Sequence, residues 1–164
     1  MPTPIRWSTL ASIESTAELQ LHRFLLFGVA GRLCACDLDT VREIVPARPA
    51  TRLPGAPEWV RGLINLRGAL VTVVDLAVRF GASEGASAKS IIVVEAAGKS
   101  FGISVDEVRD VQAVADDALE QVDDQRAAGG IVRGLAHLGI RGAVGAETAL
   151  VVDVEEIVRQ ALVL

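Results

Sequence analysis

Few groupings in this 164-residue chain have the spacing that chemistry demands. Cys34 and Cys36 are two positions apart. On a strand that puts both thiols on one face, too close along the chain for an unstrained disulfide, so they read as small core or edge residues. His22 and His137 have no HxxxH, HExxH or CxxC neighbours, and no metal site is expected. Gly139, Gly142 and Gly145 recur every third residue, but the spacing is neither Rossmann nor Walker and no Lys follows; a flexible β-turn is the reading. Asp75 and Asp153 stand where helix caps are needed, which accounts for them without catalysis. No catalytic residue, metal ligand or cofactor site is expected. A small-molecule-binding or enzymatic β-barrel is kept as an alternative; it requires a closed pocket with convergent polar groups, whereas a protein-docking surface requires an open apolar groove.

The elements that must position any site follow from composition and periodicity. Hydrophobic residues make up 51% but aromatics only 4%, so the core is built from Val, Leu, Ile and Ala. The apolar runs, such as 69–74 and 91–94, are short and β-branched, which points to buried strands and is far below the roughly 20 residues of a membrane span. The first 20 residues lack the apolar region of a secretory signal, and together with the two unpaired cysteines this predicts a reduced, cytoplasmic protein. A net charge of −5 argues against nucleic acid or an anionic membrane as partner. Residues 1–20 read as a weakly ordered arm, with Leu10, Ile13, Ala17 and Leu21 at helical spacing.

From residue 21 the pattern turns to strands. Residues 23–29, a turn at Ala30-Gly31-Arg32 and residues 33–38 form a β-hairpin. The same unit returns 67 positions later: residues 24–44 align without a gap on 91–111, turn on turn, with Asp39-x-Val41-Arg42-Glu43-Ile44 on Asp106-x-Val108-Arg109-Asp110-Val111. Val60-Arg61-Gly62-Leu63 recurs as Val132-Arg133-Gly134-Leu135, and Val73-Val74-Asp75-Leu76 as Val151-Val152-Asp153-Val154. Four echoes in one order describe two copies of one β module, each too small to be stable alone. Linker composition at 82–89 divides the chain into subdomain one, about 21–82, and subdomain two, about 90–164; 123–130 is a second loop.

Helices are few. Asp75 caps a short one through Phe80, ended by Gly81. Asp153-x-x-Glu156 is a capping box opening a C-terminal helix with Val154, Ile157, Val158, Ala161 and Leu162 on its apolar face. Asp117 opens a further short turn, and Pro57 a single helical turn ended by Gly62.

The run Pro57-x-x-Val60-x-Gly62-Leu63-Ile64-Asn65-Leu66-Arg67-Gly68, followed by Val73-Val74-Asp75-Leu76 and Arg79-Phe80-Gly81, resembles the signature of the CheW family, as do Val41-Arg42-Glu43-Ile44 and Gly102-Ile103-x-Val105-Asp106-x-Val108. The likeness covers residues 21–164. It implies a mainly β fold of two SH3-like five-stranded barrels sharing a core, with a few short helices including the C-terminal one. It also implies a non-enzymatic chemosensory adaptor in two-component signal transduction. A chemoreceptor's cytoplasmic tip would bind in a groove between the barrels, and the regulatory domain of a CheA-type histidine kinase on a barrel end, at membrane-associated receptor arrays but without membrane insertion. By position, the groove residues would be Val41, Glu43, Ile44, Gly62, Asn65, Arg67 and Val108. A scaffold of a pilus, motility or other alternative chemosensory pathway is the nearer alternative. Beside the resemblance, Arg67 can form a fork-like pair with Glu43 that holds the turn while Val41, Ile44 and Val108 supply apolar contact. Thr72 stands where the family often has Pro, and the Gly-rich stretch 137–148 is longer than usual.

Overall fold

A computed structural model describes residues 21–82, 88–122, 127–139 and 146–162. The arm at 1–20, most of the 82–89 linker, residues 123–126 and residues 140–145 with Gly142 and Gly145 lie outside the described residues. The described chain is mainly β, as expected, with eleven strands in two sheets: β1 (Leu21–Val29), β2 (Arg32–Asp37), β3 (Val41–Pro46), β4 (Val60–Leu66), β5 (Ala69–Asp75), β6 (Ser90–Ala96), β7 (Lys99–Val105), β8 (Glu107–Ala115), β9 (Leu119–Gln121), β10 (Val132–Leu138) and β11 (Glu147–Val152).

Three hairpins close in the same way. In Ala30-Gly31, Arg67-Gly68 and Ala97-Gly98 both residues have positive φ, and the flanking pairs Val29–Arg32, Leu66–Ala69 and Ala96–Lys99 face each other. These are two-residue turns of the type whose twist matches the strands, so Arg32 belongs to β2 and not to the turn.

The strands close into two barrels. Barrel A has the order β8-β1-β2-β11-β10-β9, and barrel B the order β3-β6-β7-β5-β4. In barrel A, β8 and β9 are parts of one strand path broken by a 3-10 turn at Asp116–Ala118, one residue earlier than the turn expected at Asp117; β8 pairs with β1 and β9 with β10, which closes the ring. In barrel B the loop after β3 does the same work, with Thr51 and Leu63 exchanging two backbone hydrogen bonds of 2.8 Å.

The division into subdomains of about 21–82 and 90–164 does not follow this pairing. Barrel B is made of β3 to β7, and barrel A of β1 and β2 with β8 to β11, so each barrel takes a hairpin from one repeat and the remaining strands from the other. The physical reason is that β3 and β8, which follow the repeated hairpins, each cross over and pair with the other repeat's hairpin: β3 on β6, and β8 on β1.

The exchange gives β1 two buried faces. Phe24 and Leu26 point into barrel A with Val114, Ala136 and Val151, while Leu25 and Phe27 point out into a core shared by both barrels. Barrel B has its own interior of Val45, Ile64, Val71, Val73, Ile91 and Val93. Helix α1 (Leu76–Arg79) and the C-terminal helix α2 (Val154–Leu162) seal the shared core through Leu76, Ala77, Val154, Ile157, Val158 and Ala161. The side chain of Leu162 lies outside what is described.

Asp75 caps α1 as expected, accepting from the Ala77 and Val78 amides, and also takes a 3.0 Å bond from Arg61 Nε. Asp153 accepts from the Glu156 amide at 3.1 Å, but the capping box is only half made: the Asp153 amide donates to Ile131 O, while Glu156 turns to Arg159 and Gln160. Pro57 opens no helical turn. A single bond from the Val60 amide to Pro57 O leads straight into β4.

Candidate docking site

Asn65, Arg67 and Gly68 form the tip of the β4–β5 hairpin. Asn65 Oδ1 accepts from the Gly68 amide at 2.8 Å, a side-chain bond that stiffens a turn already fixed by the left-handed backbone of Arg67 (φ 53°). That backbone aims the guanidinium back across the barrel mouth to β3, where Nη1 donates to Glu43 Oε2 at 2.7 Å. The hydrogen bond and then the carboxylate's charge hold Arg67 more firmly protonated. The pair is a single bond and not a fork, because Glu43 Oε1 is shut away from solvent and has no partner among the described residues. The register explains this: Glu43 is opposite Val93, on the face of β3 that looks into barrel B. Arg48 Nη1 reaches Asn65 O at 3.4 Å and ties the loop after β3 to the same tip.

The apolar members of the expected set lie elsewhere. Val41 and Val108 are opposite Val94 and Phe27, on the faces turned to the shared core, and both pack against its edge. Ile44, opposite Ile92 on that same face of β3, extends beyond the core and is 45% exposed. Gly62 is buried behind the tip, and a Cβ there would lie 2.0 Å from Thr51 O. The seven residues therefore form a polar corner (Glu43, Asn65, Arg67), an apolar flank (Val41, Ile44, Val108) and one backbone contact (Gly62).

Two exposed apolar side chains were not singled out from the sequence. Val111 is 48% exposed and occupies in β8 the place that Ile44 has in β3; the repeat alignment already paired them. Leu70, 69% exposed, sits on the outward phase of β5, whose alternate residues Val71 and Val73 point inward. Leu70 borders an open cleft of about 510 Å³ at the end of barrel B, which Glu43, Arg42, Lys99 and Phe101 also line. A second cleft, of about 390 Å³, lies beside the β1–β2 turn, with Arg32, Arg109 and Glu147 in its wall. The two are related by the repeat. In barrel B, Arg42 pairs with Glu95 at 2.8 Å; in barrel A, Gly28 stands at the matching position, and Arg109 pairs instead with both oxygens of Glu147. These hydrogen bonds hold the Glu95 and Glu147 carboxyls below the usual carboxylate range.

Cys34 and Cys36 are fully buried and unpaired, and burial pushes both thiols up to about 12. Among the described residues no three His, Cys, Asp or Glu side chains gather as metal ligands, and no helix is long and apolar enough to cross a membrane.

The comparisons with known proteins bear on the family and the fold. The family model of the CheW-like domain matches residues 23–162. A chemotaxis protein CheW of Rhizobium meliloti is 35% identical over 105 residues, 63% of this chain and 68% of that protein. Protein PilI of Pseudomonas aeruginosa is 33% identical over 88 residues, 52% of this chain and 49% of that one. The crystal structure of the scaffolding protein TtCheW from Thermoanaerobacter tengcongensis superposes with a TM-score of 0.69 at 28% identity, over 80% of this chain and 88% of the other.

Proposed function

Because this chain belongs to the CheW-like family, we propose that it is a non-catalytic adaptor that couples chemoreceptor cytoplasmic tips to a CheA-type histidine kinase. The observation that carries this reading is the apolar flank on the shared core: Val41 and Val108 close its edge, and Ile44 continues the face into solvent. A helical receptor tip needs a few apolar anchors in a groove and a polar rim that fixes its register. Val41, Ile44 and Val108 supply the anchors, and Glu43, Asn65 and Arg67 the rim. The kinase's regulatory domain takes a barrel end, so one rigid body touches both partners and passes on receptor state through geometry. The adaptor works in the cytoplasm, at arrays of receptors.

Co-purification with a receptor-tip fragment and the kinase regulatory domain tests this. Arg67→Ala is expected to weaken receptor-tip binding at least about tenfold while the melting temperature stays put, since the guanidinium is exposed and its loss leaves the turn capped by Asn65. Unchanged binding of both partners would remove Arg67 from the site, and failure of the wild-type chain to bind either would end the adaptor reading. A second reading, a scaffold in a pilus or other motility pathway, is favoured by the likeness to PilI. It uses the same surfaces and is distinguished by which kinase's regulatory domain co-purifies.

A further inference from the structure

The sheet of barrel A carries an apolar stretch that the shared core does not reach. On β1, Phe24 and Leu26 point into the barrel, so Leu21, Arg23 and Leu25 point out of it. Directly opposite on β8 stand Ala115, Ala113 and Val111. Leu25 is buried in the shared core, but Leu21 is 43% and Val111 48% exposed, and Arg23, Ala113 and Ala115 are exposed with them. This patch runs on to Val108, at the apolar flank of the docking site. Arg23 stands in its middle, exposed and with no hydrogen bond or ion pair among the described residues.

The chain enters the fold at this patch. Residues 1–20 lead into β1 at Leu21, ahead of residue 23, where the match to the family begins. Leu10, Ile13 and Ala17 have helical spacing, with Glu14 beside the face they form. Leu21 continues that spacing but starts β1, so a helix has to end before it. An isolated helix of about 12 residues is marginal in water and gains its stability by packing its apolar side.

We propose that residues 8–19 fold back as a helix over the outer face of β1 and β8, and that this arm competes with the receptor tip at Val108. A helix rises about 1.5 Å per residue and a strand about 3.3 Å, so residues 19 to 10 and residues 21 to 25 both span roughly 13 Å. Ala17 then comes beside Leu21 and Ala115, Glu14 beside Arg23, Leu10 beside Val111, and Trp7 near Val108. Apolar side chains meet on both surfaces, and Glu14 supplies the carboxylate that Arg23 lacks. Tethering at Leu21 raises the arm's local concentration to about the millimolar range, so a weak contact fills the site. The competition rests on the reading that Val41, Ile44 and Val108 anchor a receptor tip; the docking of the arm does not.

Val111→Cys in the full chain gives one reactive thiol, since Cys34 and Cys36 are buried. Its labelling rate is expected to rise at least about fivefold when Ile13→Asp puts a charge on the arm's apolar face. With Ser15→Asp, the same charge on the opposite face, it should stay within about twofold. Arg23→Glu is expected to speed labelling as well, and adding Glu14→Arg to reverse that gain. In the chain that keeps Val111, Ile13→Asp should tighten receptor-tip binding at least about threefold, because the arm no longer occupies part of the site. Equal labelling with and without Ile13→Asp overturns the docking of the arm and leaves the adaptor reading intact. Faster labelling with unchanged tip affinity overturns the competition. No tip binding by the wild-type chain overturns the receptor reading and the competition together, while faster labelling still supports the docked arm.

Discussion

At the scale of single residues, burial decides reactivity. Cys34 and Cys36 lie on a strand with both faces covered, one side by barrel A and the other by the shared core, and their thiols are raised to about 12. At pH 8 only about one thiol in ten thousand is then a thiolate, and reagents have no path to it. Labelling by a thiol-specific disulfide reagent at pH 8 should be at least about 100-fold slower in the native protein than in guanidinium chloride, with both thiols reacting together once the fold opens. One cysteine labelling at the denatured rate in native buffer would show that β2 is not buried as described. The i, i+2 spacing was enough to anticipate two small core or edge residues sharing one face, but not that both are fully buried. The Glu43–Arg67 contact was legible as a pair but not as a single bond, because sequence does not reveal that Glu43 turns one oxygen into the barrel mouth.

At the scale of elements, the repeated Val-Arg-Gly-Leu string acquires a cause. Both Gly62 and Gly134 sit at a bulge against the neighbouring strand, and both let a closing segment approach: a Cβ would stand 2.0 Å from Thr51 O at the first and 2.7 Å from Glu120 O at the second. Backbone atoms cannot swing aside as side chains do. Gly62 also has φ +135°, so Gly62→Ala adds backbone strain of about 1–3 kcal/mol to overpacking of about 1–3 kcal/mol. Gly31→Ala, with open space at its Cβ, carries only the turn's left-handed cost of about 1–2 kcal/mol. Urea unfolding should place Gly62→Ala well below Gly31→Ala in stability; equal midpoints would show that barrel B is not closed through Thr51. Hairpins and caps were readable from the sequence because their determinants lie within a few residues: an X-Gly pair, or an Asp before an apolar turn. The closing role of Gly62 was not, since its partner Thr51 lies in a loop with no strand signal.

At the scale of the whole molecule, the repeat predicts two modules but not how they share strands. Residues 24–44 and 91–111 are recognisably the same unit, yet nothing local tells β3 to leave its own hairpin and pair with β6, or β8 to pair with β1. That choice is made by non-local burial: exchange gives β1 and β6 two covered faces each, which explains why Phe24-Leu25-Leu26-Phe27 and Ile91-Ile92-Val93-Val94 are continuous apolar runs and not alternating ones. A chain cut in the linker at 82–89 therefore does not yield two domains. The first piece keeps β1 and β2 without β8 and β11, and β3 to β5 without β6 and β7, so it has neither barrel; the second is equally incomplete. Expressed alone, residues 21–82 and 88–164 should each lack a cooperative thermal transition, and mixed together they should regain one, because all eleven strands are then present. The intact chain should melt in one step, since the shared core belongs to both barrels. A folded, cooperatively melting 21–82 fragment would mean that the first repeat closes on itself. The strand exchange would then not be what holds the two barrels in one fixed orientation, the property on which an adaptor that signals through geometry depends.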